Sequence, residues 1–208
     1  MERENYAIDI ALIPEKKVLD LSIGLNGQFL EKTGDFSIVL GEHECLPHIS
    51  LAMCGIAANR LDELKSVLRG RLRGYVPYEA EFSGYAVVET SGGDTVSGAD
   101  IIKDEKIIEM QNILASILAE FRSEEITTDF FYGNCMNISD FSLEYSKNYL
   151  EKQTGDNFSP HITLGHGNIR DVSAYEEFPD FFTCNRLAIC HLGNNCTCAG
   201  ILGTVEII

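Results

Sequence analysis

The chain has 208 residues, 45% of them hydrophobic, with seven cysteines and a formal charge of −16 at pH 7. That length buries a core without staples, and no apolar run approaches the ~20 residues of a membrane span, so no membrane partner is expected. The acidity argues against broad attraction to long nucleic acid, DNA included, which depends on many Lys and Arg contacts to phosphate.

Tyr6 to Ile13 reads as a buried strand, closed by Pro14, which suits the first turn of a helix. Val18, Leu21, Leu25 and Phe29 then recur at helical spacing to about residue 31, weakened by Gly24 and Gly27. Phe36 to Leu40 reads as a short strand, and Leu46 to Cys54 as a longer one. From Ala57 to Arg73 a helix places Leu61, Leu64, Leu68 and Leu72 on one face. Its other face carries Arg60, Lys65, Arg69, Arg71 and Arg73 against Asp62 and Glu63, which is either a solvated face or a landing site for phosphate. Tyr78 to Glu89 and Thr95 to Ile102 read as a hairpin about Ser91-Gly92-Gly93-Asp94.

Asp104 can cap a helix lined by Ile107, Ile108, Gln111, Leu114, Leu118 and Phe121. A strand at Ile126 to Tyr132, a helix from Ser139 to Lys152, a strand around His161, a helical turn at Val172 to Phe178 and a hairpin of 186–192 with 197–207 complete the chain. The order βαβαββ thus occurs twice, and Asp9 and Asp129 fall at similar places in the two copies. The expected architecture is α+β: two pseudo-symmetric lobes, each a small mostly antiparallel sheet backed by helices, facing across a central groove. Residues 1–103 form the N-terminal lobe and 104–208 the C-terminal lobe of a single domain.

Within those copies, Pro47-His48-Ile49-Ser50-Leu51 and Pro160-His161-Ile162-Thr163-Leu164 nearly repeat each other. On a strand each motif points His and hydroxyl to one face and Ile and Leu to the other. The paired His-x-Ser/Thr motifs resemble those of the two-histidine phosphoesterase superfamily, which includes 2′-5′ RNA ligase-like proteins and cyclic nucleotide phosphodiesterases. The resemblance implies His48 and His161 as catalytic residues, with Ser50 and Thr163 as phosphate ligands. It implies hydrolysis of a 2′,3′-cyclic phosphate or 2′-5′ phosphodiester on a small nucleotide or RNA terminus, with no cofactor and no metal.

The chemistry suits those residue types. One imidazole can take a proton from water while the other protonates the departing ribose oxygen. The hydroxyls can donate to the non-bridging oxygens as charge accumulates. Two other readings stand beside this one: nucleophilic catalysis by Cys54 or Ser50, and a non-catalytic binder of nucleotide or RNA-end phosphate. His43, His166 and His191 read individually as structural or surface histidines. Cys190, His191, Cys196 and Cys198 flank a turn and are either a metal set or small strand residues. The odd cysteine count suggests free thiols in a reducing cytoplasm, and a monomer is expected.

Overall fold

A computed structural model describes residues 3–89, 93–133, 137–172 and 177–205. It is α+β, with seven strands and four α-helices in the order β1 (Asn5–Pro14), α1 (Lys16–Thr33), β2 (Ile49–Ala57), α2 (Leu61–Arg71), β3 (Tyr78–Glu89), β4 (Thr95–Ile101), α3 (Glu105–Phe121), α4 (Asp140–Lys152), β5 (His161–His166), β6 (Phe181–Leu192) and β7 (Cys198–Val205).

The helices begin and end where local chemistry dictates. Asp104 caps α3, its Oδ1 accepting from the Ile107 amide at 2.7 Å, and Ser139 caps α4 through the Ser142 amide. Gly34 ends α1 at φ 68°, where its amide reaches the Leu30 carbonyl at 3.0 Å. Ile107, Met110, Leu114, Leu118 and Phe121 put the buried stripe of α3 at helical spacing.

All strand pairings are antiparallel, and the order is β1-β2-β5-β4-β3-β6-β7 with β6 also paired to β1. The six strands β1, β2, β5, β4, β3 and β6 therefore form a closed circuit, and β7 lies outside it on β6. Strands of the two sequence halves are interleaved: β1 and β3 of the first half pair with β6 of the second, and β4 pairs with β5. β1 is paired on both edges, and Ala7 to Pro14 are buried without alternation, as in a strand covered on both faces. Helices α3 and α4 pack on β2, α1 on β5, and α2 on α3 and β7.

Two expected strands are absent. Residues 36–40 form a loop whose backbone is satisfied by the side chain of Asn26: its Nδ2 donates to the Ile38 carbonyl at 3.0 Å and its Oδ1 accepts from the Leu40 amide at 2.9 Å. Residues 126–132 contain instead a 3₁₀ turn at Thr128–Phe130. Both edges of β6 are already taken, and Ile126 and Phe130 plug the space over Gly55, where a Cβ would lie 2.8 Å from Ile126 Cγ1. Asp129 is consequently exposed in that turn and is no structural counterpart of buried Asp9. The helical turn expected at 172–178 falls largely outside the described residues, and a short 3₁₀ turn lies just before it at Ile169–Asp171.

The cysteines also differ from expectation. Cys190 and Cys198 form a disulfide across the β6–β7 hairpin, so these two are not free thiols. With His191 donating to the Phe130 carbonyl at 2.8 Å and Cys196 directed at the Ser142 carbonyl, the four residues do not converge as a metal set. No group of three metal-ligating side chains forms among the described residues.

Candidate active site

The two motifs meet where β2 and β5 meet. Those strands pair at one position, Ile49 opposite Ile162, which is the residue following the histidine in each motif. Ile49, Leu51, Ile162 and Leu164 are all fully buried, so the pleat directs His48, Ser50, His161 and Thr163 to the other face. Antiparallel pairing about Ile49 and Ile162 sets His48 beside Thr163 and His161 beside Ser50, a local two-fold arrangement.

The imidazoles are oriented alike. Nδ1 of His48 meets the Leu46 carbonyl at 2.7 Å, and Nδ1 of His161 meets the Ser159 carbonyl at 2.8 Å. A carbonyl oxygen only accepts, so Nδ1 carries hydrogen in both rings and Nε2 is left as the nitrogen free for proton exchange. Each supporting loop is itself anchored. The Leu46 amide donates to the Cys198 carbonyl at 3.0 Å, and the Pro160 carbonyl accepts from the Ile101 amide at 3.0 Å.

The two halves differ in their acids. Asp9 of β1 is fully buried, and its Oδ2 accepts from Ser50 Oγ at 2.7 Å while lying 3.4 Å from His48 Nε2. The β1–β2 register shifts between Ile10 and Ala11, where Leu51 is the extra residue of β2, and this bulge sets Ser50 opposite Ala11 on the face that Asp9 shares. Burial pushes the Asp9 carboxyl above its ordinary range, against the hydrogen bonds and charge of His48 and the bond from Ser50. For His48, burial opposes the charged ring, but the Asp9 bond and charge and the Leu46 carbonyl outweigh it and raise its pKa. Opposite exposed His161 in the β4–β5 ladder lies Asp100, whose carboxyl burial raises, His161 offsetting only part of the rise. Neither acid was singled out as a site residue by the motif. Their signal is a lone carboxylate within an apolar strand, but its partner is fixed only by register.

The remaining histidines lie apart from this pair. His43 is exposed, His166 lies 3.2 Å from Asp35, and His191 is buried between Tyr6 and Tyr132. The nucleophile alternatives fare poorly. Cys54 is buried, which pushes its thiol well up, and Ser50 is bonded to a carboxylate rather than to an imidazole. On the basic helix, Arg60 is held by Glu63 and lies over the Phe121 ring, and Lys65 pairs with Asp62. Arg71 borders a shallow depression shared with Glu105 and Glu109, which makes it a poor anion site, and none of its lining residues belongs to the motifs.

The family model for the 2′-5′ RNA ligase superfamily matches residues 42–194, a span holding both motifs. The chain belongs to the 2′-5′ RNA ligase superfamily. Its fold is similar to that of several solved structures. Escherichia coli LigT in apo form matches at 14% identity over 97% of each chain, with a TM-score of 0.54. The protein TT0787 of Thermus thermophilus matches at 13% identity over 95% of this chain and 96% of its own, with a TM-score of 0.52. A complex of LigT with 3′-AMP matches at 13% identity over 97% of each chain, with a TM-score of 0.51. At these identities the likeness is one of fold. No curated protein sequence matches the chain. For a superfamily member, no helix among the described residues is long and apolar enough to cross a membrane.

Proposed function

We propose that this superfamily member is a metal-independent phosphoesterase that hydrolyses a 2′,3′-cyclic phosphate or 2′-5′ phosphodiester on a nucleotide or RNA end. The observation that carries the reading is the pairing of the two motifs about Ile49 and Ile162, with both Nδ1 atoms held by carbonyls. Nε2 of one imidazole takes a proton from water as its oxygen bonds to phosphorus. Nε2 of the other gives a proton to the ribose oxygen as the old P–O bond breaks. Ser50 and Thr163 donate to the non-bridging oxygens, where negative charge grows in the transition state. Two imidazoles supply both proton transfers, so no Lewis acid is called for. A nucleotide phosphate fits this class of ligand, as LigT was solved with 3′-AMP. The reading includes small substrates or RNA ends rather than DNA, in keeping with the charge of −16.

The test is an assay in EDTA on 2′,3′-cyclic nucleotides, 2′-5′-linked dinucleotides and RNA ending in a cyclic phosphate. Turnover is expected with a bell-shaped pH profile, and His48→Ala or His161→Ala should each lower kcat by roughly 10²- to 10⁴-fold. The double variant should be little worse than either single one, because both disable one proton-transfer unit. Ser50→Ala and Thr163→Ala should cost about 10- to 10³-fold, mostly in kcat. Loss of wild-type turnover in chelator, or a folded histidine variant that keeps substantial turnover, would refute the mechanism. Binding of the same phosphates without turnover would favour the binder instead.

A further inference from the structure

Asp9 has an unusual environment for a carboxylate. It is fully buried in strand β1, with the Leu51 amide favouring its charged form; its Oδ1 makes no well-formed hydrogen bond among the described residues, and its Oδ2 faces both functional groups of the first motif. Isolated burial of an ionised carboxyl is costly, so such a group needs a compensating cation or proton.

The geometry supplies one. Because Nδ1 of His48 already donates to Leu46, a neutral His48 would present a lone pair from Nε2 to the Asp9 oxygen 3.4 Å away. Two lone pairs repel at that distance, so one proton belongs between the two atoms. It rests on Nε2 as an imidazolium beside a carboxylate, or on Asp9 as a carboxylic acid. The Ser50 hydroxyl, donating to the same oxygen, favours the charged carboxylate and hence the imidazolium.

The other titratable groups around Asp9 leave it alone in charge. Tyr145 and Tyr149 come from α4, and Cys196 from the turn before β7. Burial pushes Tyr145 to about 12 and holds Tyr149 and Cys196 well up, so all three are neutral at physiological pH. His48 is thus the one group able to carry positive charge beside Asp9 among the described residues.

We propose that Asp9 is a positioning residue that keeps the exchangeable proton on Nε2 of His48 and aligns the Ser50 hydroxyl beside it, making His48 the arm that enters hydrolysis protonated. The inference rests on the proposed function for its catalytic meaning, though the proton-holding contact stands without it. When substrate phosphate arrives, both donors can turn from Oδ2 to the phosphate. The 3.4 Å separation, long for a hydrogen bond, leaves Nε2 able to do so. His161, with Asp100 across the ladder and no counterpart of Asp9 at its Nε2 among the described residues, takes the other role and accepts the proton of water.

The experiment is an NMR titration of the His48 ring nitrogens in the free protein, wild type and Asp9→Asn, alongside kcat and KM against pH. In the wild type, His48 should titrate above the ordinary imidazole value of about 6.5, with Nδ1 protonated throughout. In Asp9→Asn its midpoint should fall toward that value, and the basic limb of kcat should move to lower pH. At the wild-type optimum kcat should drop by on the order of 10²-fold with little change in KM. A role confined to packing would lower stability and leave the midpoint in place. A wild-type His48 midpoint at or below the ordinary value overturns the proposal, and that measurement decides even if Asp9→Asn does not fold. An unchanged midpoint in a folded Asp9→Asn overturns it as well. Absence of turnover with every phosphodiester, combined with the expected titration, would reject the proposed function and leave the Asp9–His48 assignment intact.

Discussion

At the scale of single residues, the site was legible to the extent that its chemistry is local. The alternation of His48, Ile49, Ser50 and Leu51 is a property of any strand, and the buried isoleucines and leucines bear it out. Asp9 was visible only as a carboxylate in an apolar run, because the bulge at Leu51 that brings Ser50 to its face is a matter of long-range register. His191 illustrates a histidine whose work is structural. Burial, set against the Phe130 carbonyl bond, holds its pKa below the ordinary value, with Arg3 adding in the same direction. A lowered folded pKa means stability that is present above the unfolded value of about 6.5 and lost as pH falls through the folded one. His191→Phe should therefore be less stable than wild type near pH 7.5, by about 1 kcal/mol for the lost bond. The gap should narrow as thermal melts are taken toward pH 5, and a constant gap would rule this out.

At the scale of elements, periodicity located all four helices and the motif strands, because each carries its own apolar stripe and its own caps. It misjudged 36–40, where Ile38 and Leu40 are buried but Phe36 is exposed and no ladder forms, and 126–132, where Ile126 and Phe130 fill the space over Gly55. The first of these depends on one side chain of α1. Asn26 donates to the carbonyls of Ile38 and Leu164 and accepts from the Leu40 amide, tying α1, the loop and β5 together. Asn26→Leu would strand three buried backbone groups, each costing about 1–3 kcal/mol. A loss of roughly 3–5 kcal/mol in chemical denaturation is expected, and a loss below about 1 kcal/mol would show that the loop finds other partners.

For the whole molecule, the fold class and the near repetition of motifs could be read from order alone, but the closed circuit of strands could not. Hydrophobic pattern says that a strand is buried, never which strand lies beside it. Sequence halves 1–103 and 104–208 hold one motif each, yet β1, β3 and β4 take partners from beyond residue 103. We propose that the two are lobes only in each other's company. A fragment of residues 1–103 should show no cooperative melt by circular dichroism, whereas co-expression with 104–208 should restore one, and an independently melting fragment would refute this.

Within that circuit the contact of β2 with β5 is the thinnest, a single pair of isoleucines. A ladder with one rung resists sliding poorly, and the motifs on either side of it hold the groups proposed to grip phosphate. A ligand seated across His48, Ser50, His161 and Thr163 would act as the second rung. Under that reading the substrate is also a temporary structural member: it completes the circuit at its weakest joint, and the joint is thin again once the product has left.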